Sequence, residues 1–263
     1  MNSNNQEIEA ALIIYSVEPN DFIKEITNLE SLSDFWLIPE KSVVIHDIYF
    51  DTPTQELKSK NLALRVRDVN DSCLITLKGN ARSTDWGGVE RLEIEMPWSI
   101  EALTKISNEL NARKINLLKN DQPVDTGNPI NVLMNLGLQI IQDRRNHRRI
   151  RNIVKELGSR EVVAELAIDS VTFQFGDQEI LFHEVEIESK ISDGTSVIES
   201  FVHNLIEKYE PMLRQWPHSK LVTGKTIEKL FYEGALAGYV DEENNLVPHA
   251  FDKIDEYIKY GNI

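Results

Sequence analysis

The chain has 263 residues, 41% of them hydrophobic, enough to bury one large core or two smaller ones, which excludes disorder as its overall state. Its 28 Lys+Arg against 43 Asp+Glu give a formal net charge of −15, and that surplus of acid excludes a protein built to coat nucleic acid or an anionic membrane. Cys73 is the only cysteine, so no intrachain disulfide can form and a cysteine zinc site would have one thiolate.

The opening MNSNNQEIEA lacks the basic-then-apolar order of a signal peptide, and no run approaches the ~18–20 apolar residues of a membrane span, so the expected location is cytoplasmic. Alternation then predicts a strand over Ile8 to Tyr15, and acidic residues in a first turn predict a helix over Pro19 to Leu32. Strands follow at Ser42 to Phe50, Leu62 to Val69, Ser72 to Lys78 and Gly88 to Met96, with Gly79 to Gly87 as a polar hairpin loop. Ser99 reads as the N-cap of a helix to Ile115, Asn116 to Asn131 as a loose connection between two halves, and Pro129 to Leu136 as a short helix.

The second half repeats the order. Strands are expected at Leu138 to Val154, Val162 to Phe175 and Glu179 to Ile187, then helices at Thr195 to Tyr209 and Ser219 to Ala237. Strand follows strand without the intervening helices that parallel pairing needs, so the class is α+β with an antiparallel sheet. Residues 1–237 are expected to form one domain. Residues 238–263 form an acidic tail, helical in part, where Phe251, Ile254, Tyr257 and Ile258 recur at helical spacing. That stripe suits packing on the domain or docking of a partner.

Charge falls at alternate strand positions: Glu7 and Glu9; Arg65 and Arg67; Thr76 and Lys78; Arg91, Glu93 and Glu95; Glu184, Glu186 and Glu188. In one strand this is a solvated face. Recurring in strand after strand with apolar residues between, it specifies two faces, one apolar and one ionic. A sheet with its apolar face outside under helices and its ionic face inside is a closed barrel with a polar lumen. An Arg or Lys there needs an opposite charge, worth roughly 4 kcal/mol at about 4 Å and an effective dielectric of about 20. Carboxylates that hold a divalent metal, together with cations that hold phosphate, account for both signs.

The motifs that carry these charges resemble those of CYTH-domain proteins in the triphosphate tunnel metalloenzyme family. The matching pieces are EIE at Glu7 to Glu9, IYFDTP at Ile48 to Pro53, LALRVR at Leu62 to Arg67 and LITLKG at Leu74 to Gly79. RLEIE at Arg91 to Glu95, ELAID at Glu165 to Asp169, EVEIE at Glu184 to Glu188 and SKxxxG at Ser219 to Gly224 complete the set. The resemblance implies a closed antiparallel eight-stranded β barrel, the triphosphate tunnel, with helices packed on the outside. It also implies a divalent metal, Mg²⁺ or Mn²⁺, and a small-molecule triphosphate as the partner, not nucleic acid or membrane. The oligomeric state is not legible.

Carried across by position, Glu7, Glu9, Glu93, Glu95, Glu165, Asp169, Glu186 and Glu188 resemble the metal-binding carboxylates. Arg65, Arg67, Lys78, Arg91 and Lys220 resemble the triphosphate-holding cations, and Glu9, Lys78 and Glu186 the groups closest to the reaction. Within DRRNHRRIRN, Asp143 to Asn152, alternation favours Arg149 and Arg151 pointing inward, with Arg145 as a further candidate. Arg144 and Arg148 then point out, and a one-residue slip exchanges the two sets. One departure stands out: the family's first motif is Glu-x-Glu-x-Lys, and the lysine position here is Ala11.

The function this implies is metal-dependent hydrolysis of inorganic triphosphate or an organic triphosphate. A class IV type adenylate cyclase, a thiamine triphosphatase, and a non-catalytic polyphosphate- or nucleotide-binding module remain alternatives. His46, His147, His183 and His218 share no metal-ligand spacing, and Asp51 before Thr52-Pro53 suits a turn.

Overall fold

A computed structural model describes residues 6–118, 127–192 and 194–261. The first stretch runs β1 (Gln6–Ile14), α1 (Pro19–Thr27), β2 (Ser31–Leu32), β3 (Phe35–Asp51), α2 (Glu56–Ser59), β4 (Leu62–Val69), β5 (Ser72–Ser83), β6 (Val89–Pro97) and α3 (Ile100–Ala112). Then come α4 (Pro129–Asn135), β7 (Gln139–Val154), β8 (Ala164–Phe175), β9 (Gln178–Ser189), α5 (Thr195–Tyr209), β10 (Leu213–Gln215), α6 (Lys220–Tyr232) and α7 (Pro248–Tyr260). Part of the expected 116–131 connection, and the last two residues of the tail, lie outside the described residues.

The hydrogen-bonded order is β1-β6-β5-β4-β3-β7-β8-β9, and β9 pairs back to β1. The eight strands therefore close into an antiparallel β barrel of the α+β class. β10 adds to β1, and β2 to β3.

The chain divides into two compact units. Unit 1 holds the N-terminal residues through Glu7, Val44–Arg82 and Arg91–Arg144. Its core sets Ile48 and Phe50 of β3, Leu62, Leu64 and Val66 of β4, Ile75 and Leu77 of β5 and Ile94 of β6 against α3 and α4. Ala102, Leu103, Ile106 and Leu110 recur at helical spacing along the buried side of α3. The Ser99 hydroxyl caps that helix by accepting from the Ala102 N–H. Each Leu or Ile so buried contributes about 1.5–3 kcal/mol, and because side chains alternate along a strand, this core fixes the opposite parity as the ionic face.

Unit 2 holds Ile8–Val43, Ser83–Glu90 and Arg145–Ile263. There Ala10, Leu12 and Ile14 of β1, Leu166 and Ile168 of β8, and Val185 and Ile187 of β9 pack on α1 and α5. A second core lies on the other face of the same strands. Ile13, Val171, Phe173, Ile180 and Phe182 pack against Ile227 and Leu230 of α6 and Ala250, Phe251 and Ile254 of α7. Ser219 caps α6 through the Val222 N–H, and Gly234 follows that helix in the left-handed region at φ +69°.

Several boundaries differ from the sequence expectation. The first helix stops at Thr27, not Leu32, because Ser31–Leu32 pairs with Phe35 and Trp36 in a tight hairpin with Ser33 at φ 50°. β3 begins at Phe35 for the same reason. β5 runs on to Ser83, so the polar loop shrinks to a turn in which the Thr84 N–H donates to the Gly88 carbonyl and the Gly87 N–H to that of Thr84.

Candidate active site

The ionic face of unit 1 gathers Arg65, Arg67, Lys78, Arg91 and Arg144 with Glu7, Asp47, Glu93 and Glu95, one more cation than carboxylate. Asp47 of β3 is the hub. Arg67 grips it with Nε at 2.7 Å and Nη2 at 2.9 Å, while Arg144 and Arg65 approach to 3.4 and 3.7 Å. Burial opposes the Asp47 charge, but Arg65 and Arg67 outweigh it and hold the carboxyl well below the usual range. Glu95 accepts from Arg65 at 3.3 Å and from the Thr76 hydroxyl at 2.8 Å.

Glu7 accepts from Lys78 at 3.0 Å and from Arg91 at 2.7 Å, and the two cations outweigh burial to hold it ionised. Lys78 also meets Glu93 at 3.0 Å. Burial, with Glu7 as a carboxylate neighbour, pushes the Glu93 carboxyl up to about 7.

Unit 2 carries a cluster of the opposite leaning. Arg148, Lys190 and Lys220 meet Glu165, Asp169, Glu184, Glu186 and Glu188. Asp169 of β8 takes both arms of Arg148 at 2.7 and 2.6 Å and Lys220 at 2.9 Å. Glu186 of β9 takes Arg148 at 2.5 Å and Lys220 at 2.6 Å, and Lys220 also pairs with Glu184. Despite complete burial, Arg148 and Lys220 hold Asp169 ionised.

One oxygen from each of Asp169, Glu184 and Glu186 lies within 4.8 Å of the others. These are hard oxygen donors of the type that suits Mg²⁺ or Mn²⁺, so the trio fits such an ion. Arg148 and Lys220 offset part of the trio's charge from the protein itself.

No helix among the described residues is long and apolar enough to cross a membrane. The sequence profile of the CYTH domain matches residues 16–212. The chain belongs to the CYTH domain family. No curated protein matches it in sequence. Its fold resembles that of a proposed adenylyl cyclase from Hippeastrum that reveals a dominant triphosphatase activity. The identity is 18% and the TM-score 0.51, over 87% of this chain and 96% of that one. A proposed adenylate cyclase from Bacillus halodurans matches at 17% identity and a TM-score of 0.43, over 82% and 96% of the two chains. The S. pombe RNA triphosphatase bound to the Spt5 C-terminal domain matches at 11% and 0.38, over 82% and 88%.

Within the CYTH fold, Arg65, Arg67, Lys78, Arg91, Glu7, Glu93 and Glu95 come together in unit 1, and Asp169, Glu186 and Lys220 in unit 2. Glu9 is buried on β1 with its Cα opposite that of Glu188. Glu165 and Glu188 lie beside Lys190, at 3.6 and 3.0 Å, outside the close trio.

The expected parity of β7 is reversed. Arg144 and Arg148 join the clusters, whereas Arg145 is exposed. Arg149 lines a groove of about 900 Å³ with α1 and Asp241, Glu242, Glu243 and Asn245. Arg151 donates to the backbone carbonyls of Thr27 and Leu37. Arg149 and Arg151 therefore leave the set of triphosphate candidates.

Glu184, Asp47, Arg144, Arg148 and Lys190 are the members that sequence reasoning missed, although Glu184 shares the alternation of Glu186. The histidines have local partners: His46 meets Asp143, His183 meets Ser170 and Asn245, and His218 meets Asp255, while His147 is exposed. Asp51 caps α2, its carboxylate accepting from the N–H groups of Thr52, Leu57 and Lys58.

Proposed function

We propose that this CYTH protein is a metal-dependent hydrolase of inorganic triphosphate or of an organic triphosphate. One observation carries the reading: the strands bear two ion clusters of opposite leaning, one with surplus cation and one with surplus carboxylate. Surplus guanidinium suits phosphate oxygens, which Arg forks grip in pairs. Surplus carboxylate suits a divalent cation. The dominant triphosphatase activity of the similarly folded Hippeastrum protein supports the same reaction class.

In this reading Arg65, Arg67, Lys78, Arg91 and Arg144 hold the phosphates in line. Lys220 adds a cation beside the carboxylates. Asp169, Glu184 and Glu186 would hold Mg²⁺ or Mn²⁺, with Glu165 and Glu188 on the same two strands and Glu9 on the neighbouring β1. A metal so held supplies neutralisation of phosphate charge and a more acidic bound water. Water attacks the terminal phosphorus, the bridging P–O bond breaks, and orthophosphate leaves the remaining diphosphate. The proton that water gives up passes to the phosphate products. Positioning and charge do the rest, and no covalent nucleophile is required.

The test is a panel of tripolyphosphate, ATP and thiamine triphosphate with Mg²⁺ and Mn²⁺, assayed for every product. Orthophosphate release that disappears in Glu186→Ala and Arg67→Ala is the expected result. Pyrophosphate with cyclic AMP from ATP would identify a cyclase instead. Tight tripolyphosphate binding without turnover would identify a binding module, and native protein inert towards the whole panel sinks the proposal.

A further inference from the structure

Tyr49 sits on β3 two residues after Asp47, on the same strand face, and is 6% exposed. Its phenol oxygen accepts from Arg144 Nη2 at 2.7 Å and from Arg65 Nη1 at 3.4 Å. The Arg144 guanidinium carbon lies 4.7 Å from the centre of the Tyr49 ring. The alternatives open to these guanidiniums are few. Asp47 is engaged by both arms of Arg67, and it lies farther than the phenol from Arg144 Nη2 and Arg65 Nη1, at 3.4 and 3.7 Å. Arg65 Nε and Nη2 are held by Thr76 and Glu95, and Arg144 Nη1 by Gln142.

We propose that Tyr49 is a positioning residue: its phenol oxygen fixes Arg65 and Arg144 in one orientation, so that both guanidiniums meet an anionic ligand oxygen already aligned. The inference rests on the triphosphate reading of this site. It goes beyond that reading by assigning a task to a group that carries no charge in its ordinary form.

The hydrogen-bond pattern supports it. Two donors converge on the oxygen, while its own O–H proton has no acceptor among the described residues. Four charged groups face it: Asp47, Arg65, Arg67 and Arg144. Burial and Asp47 push the phenol up, Arg144, Arg65 and Arg67 push it down, and the guanidiniums prevail. Aligned donors cost a ligand less ordering on binding, and hydrogen bonds to charged groups are among the stronger ones.

Tyr49→Phe tests this, because it keeps the ring under Arg144 and removes only the oxygen. Tripolyphosphate binding is measured by calorimetry with a chelator present, so that hydrolysis plays no part, and tyrosinate ultraviolet absorbance is followed against pH. The native protein is expected to bind, the variant to bind roughly tenfold more weakly while still unfolding cooperatively. One of the seven tyrosines is expected to ionise below the usual value of about 10. That step is expected to be missing from the variant, and to move upward in the native protein when tripolyphosphate is added. Equal affinity in the two proteins, or a native titration with no early tyrosine, overturns the role of Tyr49 alone. Native protein that binds no tripolyphosphate overturns the triphosphate reading and this inference together.

Discussion

Ala11 of β1 stands directly opposite Glu186 of β9 in the antiparallel register. On its other side Glu186 is opposite Ala167 of β8. The carboxylate therefore has a methyl group for a neighbour on both strands, and its cations arrive from elsewhere, Arg148 from β7 and Lys220 from α6. Ala11→Lys would add a third. A unit charge about 4 Å from a phosphate oxygen at an effective dielectric of about 20 is worth up to roughly 4 kcal/mol before salt screening. Metal-free tripolyphosphate affinity is expected to rise roughly tenfold. Calorimetry showing no gain would mean that Arg148 and Lys220 already saturate this position.

Lys220 pairs with Asp169, Glu184 and Glu186 through one ammonium group. Removing it in Lys220→Met leaves buried like charges facing one another, and the loss of a partner from a buried ion cluster costs about 3–5 kcal/mol. The unfolding free energy read from denaturant melts is expected to fall by that amount without metal and to recover when Mn²⁺ is added, since the ion takes over neutralisation. A loss that Mn²⁺ leaves untouched would remove the trio as a metal site.

The reversed parity of β7 has a direct check. Arg144→Ala removes a guanidinium from the Asp47 and Tyr49 cluster, and tripolyphosphate affinity is expected to fall at least tenfold. Arg149→Ala acts in a groove beside α1 and is expected to leave it within about twofold. Equal losses would contradict the strand orientation.

Glu93 sets a pH dependence. Its carboxyl is raised from 4.5 to about 7 in the folded protein, so between those values the folded state binds more protons than the unfolded one. Its contribution to stability is thus present in mild acid and lost as pH rises through about 7. The effect is up to roughly 3 kcal/mol. Glu7 and Asp47, held below their usual values, act in the reverse sense and lose their contribution in acid. Denaturant midpoints of native and Glu93→Gln protein are expected to diverge as pH rises from about 5 to about 7.5, the native protein falling further.

The C-terminal helix is part of the core. Phe251 of α7 is fully covered, with Phe182 at 6.0 Å, Trp216 at 5.9 Å and Tyr15 at 6.2 Å between ring centres. Phe251→Ala is expected to cost about 3–5 kcal/mol by leaving a cavity. A change below about 1 kcal/mol in chemical denaturation would mark α7 as loosely attached.

The sequence is most legible where polarity alternates cleanly. In LALRVR Leu62, Leu64 and Val66 enter the core and both arginines the ionic face, so the alternation alone places Arg65 and Arg67. β7 offers no such guide, because DRRNHRRIR carries charge at both parities. What decides its orientation is tertiary: Asp47 and Asp169 meet Arg144 and Arg148, while two backbone carbonyls hold Arg151. Glu184 is legible as a member of the alternation but not as a partner of Asp169, which depends on the β8–β9 register. Lys190 lies just beyond the end of β9, where alternation no longer applies.

The strand face bearing Asp169, Glu184 and Glu186 turns aromatic and aliphatic one step further on, at Val171 and Phe182, with Ile13 opposite Glu184, and α6 and α7 cover it there. The carboxylates of Asp169, Glu184 and Glu186 thus border the hydrophobic core that α6 and α7 complete, so the packing of those two helices sets how dry the acidic trio is.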